Sequence, residues 1–177
     1  MKVVGFAGFS GSGKTSLVER LIPVFRLKGL RVSVVKHAHH RFDIDHPGKD
    51  TFRHREAGAF EVVVASDTRL ALMREFEVTN RPTVHHLIAE LYEGVDWVLV
   101  EGFKDSDLLK VEVWRASVGK PARYVDDDFI AAIATDSPDE LPAPTGLPIL
   151  DLNSPDAVAD WLISQSERLE YDADRYL

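Results

Sequence analysis

Short, wholly apolar runs alternate with amphipathic ones along this chain. Val3–Ala7, Trp97–Val100 and Ile130–Ala134 have no polar residue and read as strands covered on both faces. Arg31–Val35, Leu109–Trp114 and Leu147–Leu152 supply further strands. Between them, Leu17, Val18, Leu21, Ile22, Val24 and Phe25 recur at helical spacing across Lys14–Lys28. Pro23 should kink or weaken that helix, and Gly29 should cap it. Asp50–Ala57 predicts a short helix ended by Gly58, and Thr83–Tyr92 an amphipathic helix ended by Gly94. Ser154 before Pro155 opens a last helix to about Leu169, followed by an acidic tail expected to be mobile. Glu61–Ala65 and Arg69–Met73, joined by only Ser66–Thr68, predict an antiparallel hairpin.

A strand, loop, helix and strand in succession imply parallel pairing with a right-handed crossover. The alternation therefore predicts an α/β protein: a three-layer P-loop NTPase fold with a mostly parallel sheet. The expectation is one domain over residues 1–177, with residues 61–73 as a β-hairpin excursion or an antiparallel edge.

Composition narrows the classes. At 45% hydrophobic residues, the 177-residue chain can bury a sizeable core. The net charge of −8 argues against a general nucleic-acid binder. That total hides a split: residues 1–60 hold 11 basic and 5 acidic side chains, residues 61–177 hold 10 and 24. The first third therefore looks built to meet an anion. Cysteine is absent, which suits a reducing, cytoplasmic setting. No apolar run approaches the ~20 residues of a membrane span, and the N-terminus does not read as a signal peptide.

The chemistry begins at Gly8-Phe9-Ser10-Gly11-Ser12-Gly13-Lys14-Thr15, which matches G-x-x-x-x-G-K-[ST] between a buried strand and a helix start. Glycines let the backbone curl round a phosphate without Cβ clashes. Loop N–H groups and the positive helix end then face the anion. Lys14 reaches β- and γ-phosphates, and the Thr15 hydroxyl is a ligand for Mg²⁺. P-loop proteins add a carboxylate on a neighbouring strand, and Asp96 and Glu101 flank the run Trp97–Val100. Ligands bind beyond the carboxyl ends of parallel strands, so geometry selects Glu101. Gly102 would let substrate approach the backbone.

Lys36–Asp50 holds four of the seven histidines, His37, His39, His40 and His46. A metal site, an anion site built on Lys36, Arg41 and Lys49, and a plain solvated loop are all open readings. The favoured one is a substrate or phosphate site, with Asp43, Asp45 or Asp50 orienting bases or water. His85 and His86 are adjacent on a helix, point apart and read as structural.

Three blocks together resemble the MobB family, the molybdopterin-guanine dinucleotide biosynthesis protein B. They are Gly8–Thr15; Lys36-His37-x-His39-His40-x-x-Asp43-x-Asp45-x-Pro47-Gly48-Lys49-Asp50 leading to Ala57-Gly58-Ala59; and Val98–Lys104 with Lys110-Val111-Glu112. Order and spacing agree through roughly residue 136. The middle block is the specific one. The resemblance implies a homodimeric, GTP-binding protein with weak GTPase activity that assists the MobA-type guanylyltransferase in joining GMP to molybdopterin. It implies phosphate contacts from Ser10, Gly11, Ser12, Gly13, Lys14, Thr15 and Ser16, with Thr15 and Glu101 serving Mg²⁺ and Lys14 and Glu101 as the catalytic pair. Lys36, His37, His39, His40, Asp43, Asp45, Lys49, Asp50, Gly102 and Lys104 would face substrate or partner, and the hairpin would be the family's β extension.

No N-K-x-D motif is present to read guanine. Asp136, after the strand Ile130–Ala134, is the candidate; a turn role before Ser137-Pro138 is the other reading. A P-loop small-molecule kinase and a nucleotide-driven metal-insertion chaperone remain as alternative functions. Under the phosphate-loop reading, Lys14→Ala loses most triphosphate affinity in a direct binding measurement while circular dichroism shows the fold intact; unchanged affinity would remove the reading.

Overall fold

The structure, a computed structural model, describes residues 1–38, 42–78 and 82–176. It forms two compact units, Met1–His37 with Thr83–Leu177, and Ala38–Pro82. The larger unit is built on six strands: β1 (Lys2–Ala7), β2 (Val32–Lys36), β5 (Trp97–Glu101), β6 (Lys110–Trp114), β7 (Ile130–Thr135) and β8 (Ile149–Asp151). They lie in the order β2-β5-β1-β6-β7-β8, and every pair is parallel. The smaller unit holds α2 (Asp50–Glu56) and the antiparallel pair β3 (Glu61–Ala65) and β4 (Leu70–Arg74). The hairpin is thus an excursion with its own two-stranded sheet.

One face of the large sheet is covered by α1 (Lys14–Leu27) and α4 (Pro155–Ser164). Leu17, Val18, Leu21 and Phe25 of α1 meet Val4, Phe6, Trp97 and Leu99, all almost fully buried. Each such side chain contributes roughly 1.5–3 kcal/mol by leaving water. On the other face, α3 (Val84–Ala89) packs Val84 and Ile88 against Val3, Val98 and Val100.

Helix α1 runs through Pro23 rather than stopping there. Pro23 and Glu19, whose carbonyl loses its partner, lie on the exposed face, where water can satisfy it. The helix ends as expected at Gly29, with a φ of 78°. The Leu30 and Gly29 N–H groups donate to the Phe25 and Arg26 carbonyls at 3.1 and 3.0 Å. Helix α4, in contrast, ends at Ser164, short of the expected Leu169. Beyond it the Leu169 carbonyl accepts the Val3 N–H at 2.9 Å.

The C-terminal segment does not hang free. The Tyr171 N–H donates to the Met1 carbonyl at 2.9 Å, and the rings of Tyr171 and Tyr176 stack on His85 at 5.9 and 3.8 Å. His85 shares hydrogen bonds with the Tyr171 hydroxyl at 2.9 Å and with Asp107 at 2.8 Å. His86 closes a capping box with Thr83 at the start of α3. Both histidines therefore have structural work, as their positions suggested.

Polar groups enter the sheet interior at β6. Lys110 is 1% exposed; its ammonium donates to the Ser106 carbonyl at 2.6 Å and lies 3.4 Å from Asp127. Burial lowers its pKa, and the Asp127 charge pulls back against that. Glu112 accepts the N–H groups of Arg123 and Tyr124 at 2.7 and 2.8 Å, while burial raises its pKa. The lysine stem crosses β1 at Gly5, where an added Cβ would lie 2.6 Å from its Cγ. Gly5→Ala therefore forces the buried lysine out of place, at a cost of about 1–3 kcal/mol in chemical denaturation. An unchanged midpoint would show that Lys110 moves freely.

Candidate functional site

The phosphate loop lies at the carboxyl end of β1, where the buried strand must turn into α1. Gly8 has a φ of 140°, and a Cβ there would sit 2.4 Å from the Val113 carbonyl. Gly11 and Gly13 are also left-handed, at 83° and 97°, and no atom stands within 4 Å of a Cβ at Gly11. The glycines thus serve both the curl of the loop and the open space above it. Lys14 folds back so that its ammonium donates to the Gly8 and Phe9 carbonyls, both at 2.8 Å. Burial lowers the Lys14 pKa, the Glu101 charge raises it, and the Lys36 charge lowers it. Ser10 and Ser16 are exposed beside the loop, whereas Ser12 is buried with a hydroxyl that has no hydrogen-bond partner.

Strand β5 extends one residue beyond its apolar run, and that residue is Glu101. Its neighbours in register are Phe6 of β1 and Lys36 of β2. The Thr15 hydroxyl donates to Glu101 Oε1 at 2.6 Å. The Lys36 ammonium sits 2.9 Å from the same oxygen and 3.5 Å from the Thr15 hydroxyl. Two hard oxygen donors therefore lie side by side with a cation already bridging them, which is a fit for Mg²⁺. Asp96, at the other end of β5, accepts the Arg31 N–H at 2.7 Å and has a structural use.

The chain then turns sharply. Gly102 has a φ of 93°, and a Cβ would meet that of His37 at 2.9 Å. Phe103 is left-handed at 46° and its ring packs at a tilt against that of His37, centroids 4.7 Å apart. The His37 N–H donates to the Glu101 carbonyl at 3.0 Å. Lys36, His37 and Gly102 are thus gathered around Glu101. Lys104 follows, and its carbonyl accepts from Arg123 at 3.2 Å.

The remaining loop positions belong to the smaller unit. Asp43 accepts the Asp45 N–H at 2.9 Å and Arg55 at 3.1 Å. Asp45 takes the His46 N–H and the Thr51 hydroxyl, both at 2.9 Å, with Arg55 at 3.3 Å. The Asp45 N–H and the Arg55 guanidinium hold the Asp43 carboxyl below its ordinary range. Burial pushes Asp45 up, but its three donors outweigh that and lower it. Lys49 and Asp50 begin α2, and Asp50 pairs loosely with Arg53 at 3.8 Å. His39, His40 and Arg41 lie outside the described residues. Among the described residues, no group of three or more His, Cys, Asp and Glu is placed to hold a metal ion.

Two residues escaped sequence reasoning. Arg55, on α2, ties Asp43 and Asp45 together and also donates to Glu75 at 2.6 Å. Arg115 donates from Nε to the Ser12 carbonyl at 3.1 Å and pairs with Asp136 at 3.1 Å. Its one signal in the sequence is its position directly after the apolar strand β6, on the rim that carries the phosphate loop.

A family model described as molybdopterin guanine dinucleotide synthesis protein B matches residues 3–136. The chain is 38% identical to a molybdopterin-guanine dinucleotide biosynthesis adapter protein of Haemophilus influenzae, covering 90% of this chain and 86% of that one. It is 35% identical to the Escherichia coli protein of the same name, covering 94% of each. The crystal structure of Bacillus subtilis MobB superposes with a TM-score of 0.71 at 25% identity, over 97% of this chain and 100% of that one. A MobB homologue from Bacillus stearothermophilus gives a TM-score of 0.65 at 28% identity, over 95% and 99%.

The Thr15–Glu101 geometry yields a sharp expectation. Thr15→Val keeps the shape but removes the hydroxyl, so the Mg²⁺-dependent part of nucleotide affinity falls by about tenfold or more. Calorimetric titrations with and without a chelator measure it; equal Mg²⁺ dependence in both proteins would refute the site.

Proposed function

The chain belongs to the MobB family, and from that premise we propose that it is a GTP-binding adapter in molybdopterin-guanine dinucleotide biosynthesis. The observation that carries the reading is the meeting of Thr15, Glu101 and Lys36 beside a complete phosphate loop. Loop N–H groups and the start of α1 would receive the phosphates, with Lys14 moving from its carbonyls to the β- and γ-oxygens. Thr15 directly, and Glu101 directly or through water, would hold Mg²⁺. The bound metal would neutralise charge on the β- and γ-phosphates. Lys36 is near enough to share that task. Asp136 would accept hydrogen bonds from the guanine edge.

The proposed role is more adapter than catalyst. Arg115 spends Nε on a loop carbonyl and a terminal nitrogen on Asp136, so it acts as a brace. With Arg115 committed to that brace, hydrolysis is expected well below the roughly 1–10³ s⁻¹ of ordinary enzymes. Its partners in this reading are the MobA-type guanylyltransferase and molybdopterin, in the cytoplasm. No helix among the described residues is long and apolar enough to cross a membrane.

The reading includes a homodimer. Val63, Val64, Leu70 and Leu72 of the hairpin are exposed to between 42% and 67%. A two-stranded sheet is marginal alone, and exposed apolar side chains on it favour cover by a second copy.

Melting with nucleotides tests the proposal. With Mg²⁺, GTP at 100 times its Kd stabilises the protein by about 2.7 kcal/mol, and ATP at the same concentration shifts the transition much less. A shift with ATP and none with GTP would overturn it in favour of a kinase-like protein.

A further inference from the structure

Strands β6 and β7 are paired in parallel, with Trp114 opposite Thr135. Arg115 and Asp136 are the next residues on each, so they emerge side by side at the rim of the phosphate loop. The Arg115 Nε donates to the Ser12 carbonyl at 3.1 Å, and Nη1 lies 3.1 Å from Asp136 Oδ2. The guanidinium covers Gly13, where an added Cβ would lie 3.4 Å from Nη2. On its other side, Asp136 Oδ1 accepts the Ser137 hydroxyl at 3.0 Å, and the Ser137 N–H is held by the Thr135 hydroxyl at 3.0 Å.

Two consequences follow from elementary geometry. A trans peptide points its carbonyl and the next N–H in opposite directions. With the Ser12 carbonyl turned to Arg115, the Gly13 N–H is turned away from it. The guanidinium is also a rigid planar fork, so it fixes its two acceptors relative to each other. Each Asp136 oxygen has one partner here and keeps a lone pair, enough to accept two more donors. Guanine offers two, its N1–H and its 2-amino group. Adenine has an acceptor at N1 and no 2-amino group.

We propose that Arg115 is a specificity-determining positioning residue. It holds the Asp136 carboxylate in the orientation that reads guanine and ties that orientation to the phosphate loop. The proposal rests on Asp136 as the base reader, so the test separates the two claims.

The experiment compares Kd values for GTP and inosine triphosphate, which lacks only the 2-amino group, in the full chain with Mg²⁺. Asp136→Ala tests the base reader, and Arg115→Ala and Arg115→Gln test the brace. In the parent protein GTP binds more tightly. Asp136→Ala should collapse the GTP preference. Arg115→Ala should lower it by about tenfold or more, the factor that one charge-assisted hydrogen bond supplies. Arg115→Gln, whose single amide cannot serve both acceptors, should lower it too and decides the matter if the alanine variant does not fold. A brace acting on the loop alone would weaken both nucleotides equally and leave the ratio intact, and that result overturns the proposal. If Asp136→Ala also leaves the ratio intact, the base-reader claim fails and the proposal falls with it. If only the Asp136 variant changes the ratio, the base reader stands and Arg115 alone is refuted.

Discussion

One carboxylate organises the nucleotide rim. Glu101 is 8% exposed, and a charge so placed is costly unless it is paired and hydrogen-bonded. Its partners come from two directions. Lys36 arrives through the register of β2 against β5, and Thr15 arrives through the first turn of α1. Neither contact survives a one-residue slip of a strand, because a slip turns alternate side chains to the other face. The sheet register and the polar site therefore specify each other. A buried pair of this kind is weak evidence for stability, since apolar residues of equal volume often hold a sheet as well.

Much of this was readable beforehand, for a physical reason. Strands covered on both faces must be apolar throughout, so β1, β5 and β7 announce themselves. A phosphate loop needs fixed glycines and a lysine at fixed spacing, so Gly8–Thr15 does too. Glu101, not Asp96, could be set on the rim of the phosphate loop because parallel strands bring their carboxyl ends together. Helix α4 was read too long because apolar spacing continues past Ser164, while the segment after it turns to bond β1 through Leu169. Pro23 looked like a breaker because the pattern does not show that the broken bond faces water. Arg115 and Arg55 were missed because their partners are fixed only by tertiary neighbours. Asp43 and Asp45 looked like free chemistry; in the fold Arg55 engages both.

The smaller unit is held differently. With Val62 its one buried apolar side chain in β3 and none buried in α2, it relies on polar geometry. Arg55 joins Asp43, Asp45 and Glu75, so three stretches of the segment depend on one guanidinium. Such a knot fixes directions well but contributes modestly to stability in water. The exposed apolar side chains of β3 and β4 are thus carried by a unit fastened by polar contacts.

The wide spacing of the rim residues bears on how the molecule is made. Thr15 and Glu101 are 86 residues apart, and Ser12 and Arg115 are 103 apart. Parallel pairing offers no short-range substitute, and contacts of such separation form late and slowly. During synthesis the phosphate loop leaves the ribosome well before the strands that complete its surroundings. A nascent chain ending before β7 would carry the motif but lack Asp136. An early loop is thus kept waiting for the strand end that braces it.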